Sequence, residues 1–270
     1  AVELETDAID DQNFPAVEDM VSACAGLVTI DEESRIIRLV HYTMQEYFAQ
    51  HQEQWFCQAE ETVTSVRVTY LLFGAFDSGP CTGLHDMKQR LQHNPLYDYA
   101  ARNWGHHARA SSSSSELRKL LWTFLSSGKR LMASNQARLA SKVPGGGVEH
   151  PTMTPSHIVA FFGLRDLIIP IGKRHGMCTK SSEGQTPMSL AAENGHDVVF
   201  KMLLEQNRVD KNARAFRYLW TPLSLAASNG HFAVCKLLLD DNEVEPDPRD
   251  SGGRTPLSWA AGNGHVDVVE

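Results

Sequence analysis

An eleven-residue pattern occurs three times near the end of this chain, and that repetition limits the fold more than any other feature. Thr186-Pro187-Met188-Ser189-Leu190-Ala191-Ala192-Glu193-Asn194-Gly195-His196 returns as Thr221-Pro222-Leu223-Ser224-Leu225-Ala226-Ala227-Ser228-Asn229-Gly230-His231. It returns again as Thr255-Pro256-Leu257-Ser258-Trp259-Ala260-Ala261-Gly262-Asn263-Gly264-His265. The Thr-Pro pairs lie 35 and then 34 residues apart, a period of stacked supersecondary units. A binding surface is therefore expected before chemistry is.

Each copy reads as helix, turn, helix and long loop. The threonine hydroxyl caps a helix whose first position is proline, where the missing N–H is not needed. The Ala-Ala pairs let neighbouring helices approach closely. Asn-Gly ends the helix, because glycine tolerates the left-handed conformation past a C-terminus. Val198, Val199, Met202, Leu203 and Leu204 in one copy, and Val234, Leu237, Leu238 and Leu239 in the next, have helical spacing and predict a second helix with one buried face. A unit of this kind cannot bury its apolar face alone and needs neighbours.

On these residues the last ~120 positions resemble the ankyrin repeat, an α-solenoid unit that binds proteins. Ser189, Ser224 and Ser258 stand where that family usually has histidine, so only part of its buried imidazole bonding is expected there. A divergent copy, Thr154-Pro155-Ser156-His157 through Leu164, lies 32 residues before Thr186 and keeps the histidine. The last copy stops four residues after His265-Val266, at Glu270, and the chain opens on Ala1, so a fragment of a longer protein is expected.

The formal net charge of −8 argues against general nucleic-acid binding, which needs positive charge against phosphate. Cys24, Cys57, Cys81, Cys178 and Cys235 are scattered without a Cys-x-x-Cys and read as reduced thiols, which points to the cytoplasm or nucleus. No apolar run approaches the ~20 residues that cross a bilayer, so no membrane partner is expected.

Val143-Pro144-Gly145-Gly146-Gly147 reads as a flexible linker. It divides the chain into 1–58, 59–142, a linker at 143–149, and repeats over 150–270. No Gly-Lys-Ser/Thr follows the glycines, so they are not a phosphate loop. In the first part, Val17, Met20, Val21 and Cys24 share a helical face, and Leu27–Ile30 and Ile36–Val40 read as a hairpin about a polar turn. A helix follows, with Thr43 as N-cap and Glu46 completing a capping box. Helix, hairpin, helix is the order of a winged-helix module. Acidic residues Glu18, Asp19, Asp31, Glu32 and Glu33 on it would repel DNA.

Ala25 through Phe48, with Val68-Thr69-Tyr70-Leu71 and Asn94 through His107, is similar to the winged-helix segment that follows the nucleotide-binding domain of fungal NACHT-ankyrin proteins. Those proteins are signal-transducing ATPases. The resemblance implies a regulatory, non-enzymatic segment that contacts a nucleotide-binding domain lying before Ala1. It also makes His41 a candidate nucleotide contact in the full-length protein, beside the reading, which the residues favour, of a structural histidine packed under the wing. The chain itself carries no Walker motif, so no cofactor is assigned to it. The other readings are a stand-alone ankyrin scaffold and, with the charge against it, a winged-helix DNA-associated factor.

Residues 59 to 142 read as helical, with stripes at Val63/Val66/Tyr70, Leu96/Tyr99/Ala100/Trp104 and Leu117/Leu121/Phe124. The chain is thus expected to be mainly α. His106 and His107 point about 100° apart on a helix, which suits structural roles better than a zinc pair. Neither a metal site nor catalysis follows from them, nor from the serine run Ser111–Ser115.

For partner binding, the ankyrin resemblance implies exposed inner-helix positions and loop tips. On the inner helices these are Phe161, Phe162, Glu193, Asn194, Ser228, Asn229 and Asn263. In the loops they are Arg214, Phe216, Arg217, Tyr218 and Trp220, then Arg249, Asp250 and Arg254. The first loop is aromatic and basic, a composition enriched at interface hot spots. Trp220 and Tyr218 packing on the adjacent loop is the alternative.

Overall fold

The structure is a computed structural model that describes residues 19, 24, 27–31, 36–39, 42–51, 58–111, 114–140, 152–206, 209–216 and 218–270. The expected helix over Val17–Cys24, the wing tip, His41, Cys57 and the glycine linker at 143–149 lie outside the described residues, wholly or in large part. The fold is mainly helical, as the repeat pattern and the apolar stripes predict.

Near the start, β1 (Val28–Asp31) pairs antiparallel with β2 (Ile36–Leu39), Val28 opposite Leu39 and Asp31 opposite Ile36. Helix α1 (Tyr42–Gln50) follows. It begins one residue before Thr43, so Thr43 lies in the first turn and is not the cap expected from the sequence.

Five helices come next: α2 (Ala59–Leu71), α3 (Leu84–His93), α4 (Tyr97–Ala110), α5 (Ser115–Leu125) and α6 (Lys129–Ala140). Helix α4 is central, packed between α2 and α6. Its Tyr97 stacks on Phe76 with centroids 4.3 Å apart, and Trp104 meets Phe124 edge-on at 5.2 Å. Fully burying one aromatic of this size stabilises the fold by roughly 2–3 kcal/mol. The serine run has a structural use at its end. Ser114 is the N-cap of α5, where its hydroxyl accepts the N–H of Leu117 at 3.1 Å and donates to Glu61. Buried Gln136 bridges the non-helical strand at Cys81, accepting its N–H at 2.7 Å and donating to its carbonyl at 2.8 Å.

The repeats form four helix pairs. Inner helices α7 (Pro155–Phe162), α9 (Pro187–Glu193), α11 (Pro222–Ser228) and α13 (Pro256–Gly262) stack in order. Outer helices α8 (Arg165–His175), α10 (Asp197–Leu204), α12 (Phe232–Leu239) and α14 (Val266–Val269) form the second layer. Helices this short are marginal alone, so packing holds them. Ala191, Ala226 and Ala260 are fully buried where inner helices touch. On α10 the buried face is Val199, Phe200 and Leu203, while Val198 is turned outward at 51% exposure. The outer flank of an inner helix is covered at Met188 and Leu223, by the pair that follows each, and open at Leu257.

The repeats do not begin as a free unit. Helix α7 packs on α4, and one apolar cluster runs from Val68 through Trp104 and Phe162 to Ala260. Phe162 lies 4.9 Å from Trp104 and edge-on to His106 at 5.1 Å, over the bare backbone of Gly105. Beside it, buried Arg138 of α6 places its guanidinium 4.0 Å from the Phe161 ring centroid. Burial pulls the Arg138 guanidinium down to about 10, against the favourable charge of Glu193.

Candidate partner-binding surface

Two kinds of hydrogen bond fix the geometry of the repeats. Each Thr-Pro helix is capped within its own unit: Thr186 Oγ1 accepts the Ser189 N–H at 3.1 Å, and Ser189 Oγ accepts the Thr186 N–H at 2.7 Å. His157 makes the same local bond through Nδ1, 3.1 Å from the Thr154 nitrogen. Its Nε2 then donates onward to the Gln185 carbonyl of the next unit at 3.0 Å. A serine is too short for that second bond, so the serines at 189, 224 and 258 keep the cap and lose the link between units.

The link is supplied elsewhere by the Asn-Gly-His turns. His196 Nε2 lies 2.9 Å from the Phe161 carbonyl, His231 Nε2 3.0 Å from the Glu193 carbonyl, and His265 Nε2 2.9 Å from the Ser228 carbonyl. Every imidazole reaches back to the preceding inner helix. The glycine before each histidine has positive φ, and at Gly163, Gly195 and Gly230 a Cβ would run into the histidine of the following unit.

These bonds decide several of the expected contact residues. Asn194 and Asn229 turn their amides back onto the Leu190 and Leu225 carbonyls at 2.8 and 2.9 Å, closing their own helices. Asn263 donates to the Ser228 carbonyl at 2.8 Å, and Glu193 accepts from Gln185 at 2.9 Å. Phe161 is half-buried under Arg138. Phe162 must be corrected: at 1% exposure it is part of the junction with α4 and cannot meet a partner. The sequence carried the signal, since Phe162 occupies the position where Asn194 and Asn229 close a helix with an amide.

The loop tips are built on an aromatic base. Trp220 and Trp259 pack edge to face at 5.0 Å, and both indole N–H groups donate to Asp250 Oδ2, at 3.3 and 3.0 Å. Asp250 Oδ1 accepts the N–H groups of Gly252 and Arg254 at 2.8 and 2.9 Å. Desolvation raises the Asp250 carboxyl, yet the backbone N–H of Arg254, the Trp259 indole, the Gly252 N–H and the Trp220 indole together hold it below the usual carboxylate range. Arg254 lies over Trp259 at 4.6 Å, and Arg249 donates to the Gly253 carbonyl at 3.1 Å. Arg214 ties the two loops, donating to the Arg249 carbonyl at 2.9 Å and to Glu245 at 3.0 Å.

In the stretch of loop that leads to Trp220 three apolar side chains are uncovered, Tyr218 beside the Trp220 ring at 5.8 Å and Phe216 over the Gly184 turn. Phe216 is 62% exposed, Tyr218 48% and Leu219 41%. Leu219 is also held at φ 56°, a left-handed conformation that branched apolar residues rarely adopt. Sequence reasoning named Phe216 and Tyr218 and missed Leu219 and Trp259. For Trp259 a signal existed, because a tryptophan replaces the leucine of Leu190 and Leu225. Arg217 lies outside the described residues. Among the described residues no cluster of three or more His, Cys, Asp or Glu is arranged to hold a metal, and no helix is long and apolar enough to cross a membrane.

Paired short helices, Thr-Pro caps, a left-handed glycine at each turn and loop tips projecting from one edge define a helical-repeat scaffold, a class that works through its surface. A family model described as ankyrin repeats (3 copies) matches residues 156–250 and 215–270. No curated protein matches the chain. Ankyrin repeats are thus found in the part of the chain that holds the four helix pairs, and repeats of this kind generally bind protein partners.

Buried His157 and half-buried His196 give this scaffold an acid sensitivity. Desolvation lowers His157, partly offset by its bonds to the Gln185 and Thr179 backbone. Desolvation also lowers His196, with the Phe161 carbonyl opposing and Arg109, His106 and His231 adding to the fall. Both stay neutral in the fold at pH values where the unfolded chain, near 6.5, takes up protons. Stability is therefore full above about pH 6.5 and falls as the pH drops below it toward the folded-state values. Urea midpoints are expected to decline from pH 7.5 to pH 5.5; equal midpoints would contradict this account.

Proposed function

We propose that the chain is a non-enzymatic, protein-binding and regulatory segment of a NACHT-ankyrin signal-transducing switch. The proposed parts are a winged-helix-like module at 1–58, a helical region at 59–142, a linker at 143–149 and repeats at 150–270. The repeats hold a protein partner in the cytoplasm or nucleus, and the helices before them pass the occupancy of the repeats to a nucleotide-binding domain. The observation that carries the binding part is the exposed Tyr218 and Leu219 beside the Trp220, Trp259 and Asp250 base, with the exposed Phe216 ring next to them over the Gly184 turn. Apolar rings held on a rigid frame lose little entropy when a partner covers them, which is what an interface anchor requires. The relay part is supported by the packing of α4 on α7 and of Arg138 of α6 on Phe161, which puts the two regions in contact.

The test separates surface from scaffold. Phe216→Ala with Tyr218→Ala is expected to abolish capture of the partners that the parent retains, with unfolding changed by less than about 1 kcal/mol. Trp220→Ala should instead lower stability, because it removes a ring from Trp259 and a donor from Asp250. Undiminished capture by the double variant would defeat the surface assignment. The switch context rests on the gene: a Gly-x-x-x-x-Gly-Lys-Ser/Thr motif encoded before Ala1 would support it, and an upstream sequence without one would leave a stand-alone scaffold.

A further inference from the structure

The middle loop tip departs from the tips on either side of it, and the departures meet at Leu219. Its closing bond runs from the Ala215 N–H to the Trp220 carbonyl at 3.0 Å, whereas the flanking tips close from Ser181 to Gln185 at 2.8 Å and from Asp250 to Arg254 at 2.9 Å. Phe216 to Leu219 thus lie inside the middle closure, one residue more than Ser182 to Gly184 or Ser251 to Gly253.

Two places before the threonine of each close repeat the chain is left-handed: Gly184 at φ 78°, Leu219 at φ 56° and Gly253 at φ 76°. Glycine takes that conformation without steric cost, while a leucine there brings its Cβ against the following carbonyl oxygen. Among the described residues Leu219 is the one non-glycine residue with positive φ. The fold is served by glycine at this place, as both flanking tips show.

The leucine also has room that its counterpart lacks. A Cβ at Gly184 would meet the Phe216 ring at 2.8 Å. Phe216 reaches that tip by donating its N–H to the Glu183 carbonyl at 2.9 Å, and Ser251 stands in the same relation to the middle tip, donating to the Tyr218 carbonyl at 3.0 Å. Serine in place of phenylalanine leaves Leu219 exposed.

Backbone strain of this kind collects at ligand clamps and switch regions, where it serves something other than stability. A side chain already fixed in an extended tip loses little further freedom when it is covered. We infer that Leu219 is the specificity-determining anchor of the loop-tip surface, and that its partner is a folded protein with an apolar pocket that takes the leucine side chain. The tip projects, so the receiving surface is concave. This inference rests on the reading of the loop tips as the partner-binding surface.

Leu219→Gly keeps the backbone shape and removes the strain together with the side chain. Its urea midpoint is expected to rise above that of the parent; a lower midpoint would show that the leucine packs for the fold and would overturn the inference. For binding, the probe is a diazirine-bearing leucine analogue at position 219. Irradiated in cell extract, it is expected to cross-link a protein through apolar residues, and no cross-link, or links to charged surface alone, would count against the pocket. The cross-linked protein, purified, should bind Leu219→Gly at least tenfold more weakly than it binds the parent. Leu219→Ala, which keeps the left-handed strain and shortens the side chain, should lose as much. Parental affinity in Leu219→Gly beside a loss in the Phe216→Ala, Tyr218→Ala double variant would overturn the anchor and leave the surface reading standing. Parental affinity in all of them would overturn both.

Discussion

Gly105→Val is expected to unseat the first repeat from the helices that precede it, lowering stability by about 3 kcal/mol. A Cβ at Gly105 would stand 2.1 Å from Phe162 Cγ and 2.4 Å from two further ring carbons. The ring cannot yield, because Trp104 and His106 hold its other sides. Helix α4 would have to back away from α7, opening the space around Trp104, which is 1% exposed. Chemical unfolding followed by tryptophan fluorescence measures the loss. Gly262→Ala is the control: it also lies in a helix, has nothing within 4 Å of its new methyl, and should gain about 0.5 kcal/mol from propensity alone. A Gly105→Val protein as stable as its parent would mean that α4 and α7 are not in close contact in solution.

Gly195→Val acts within the stack rather than at its start, and about 2–3 kcal/mol of destabilisation is expected. Gly195 is at φ 68°, where a β-branched residue is strained by roughly 1–2 kcal/mol. Its Cβ would also come within 2.5 Å of His231 Nδ1. That imidazole bonds the Glu193 carbonyl, so displacing it removes a link worth about 1 kcal/mol and leaves a carbonyl short of its partner. Gly195→Ala should show the strain with a smaller clash and fall between parent and valine. Hydrogen exchange resolved by residue should place the loosening in the units at 186 and 221; a uniform change across α2 to α6 as well would argue against a local origin.

The repeats were legible in the sequence because their determinants are local. Thr, Pro, Gly and Asn act within one turn of where they stand, so Thr186 and Gly195 announce a cap and a stop whatever surrounds them. The hairpin at Val28 and Leu39 was legible for the same reason. The junction was not. Phe162 and Gly105 lie far apart in the chain, and a pattern read along one helix does not say which distant backbone will lie against it. The expected contact residues divide along the same line: Phe216 and Tyr218 project, Asn194 and Asn229 turn their amides onto their own helices, and Asn263 uses its amide on the Ser228 carbonyl, which only the three-dimensional stack brings within reach. Asp250 shows the limit most clearly. As a sequence position it reads as an exposed loop acid, yet it gathers two indoles and two backbone N–H groups.

The histidine bonds also give the array a direction. At His196, His231 and His265 the donor belongs to the later unit and the acceptor to the earlier one. Peeling a unit from the far end exposes a carbonyl at a helix terminus, which water satisfies readily. Removing the near side instead takes the acceptor from an imidazole N–H, and at the first step the bond runs the other way, from His157 to the Gln185 carbonyl. With α7 seated on α4, order is anchored at that side, and among the described pairs opening under stress should begin at the one farthest from it.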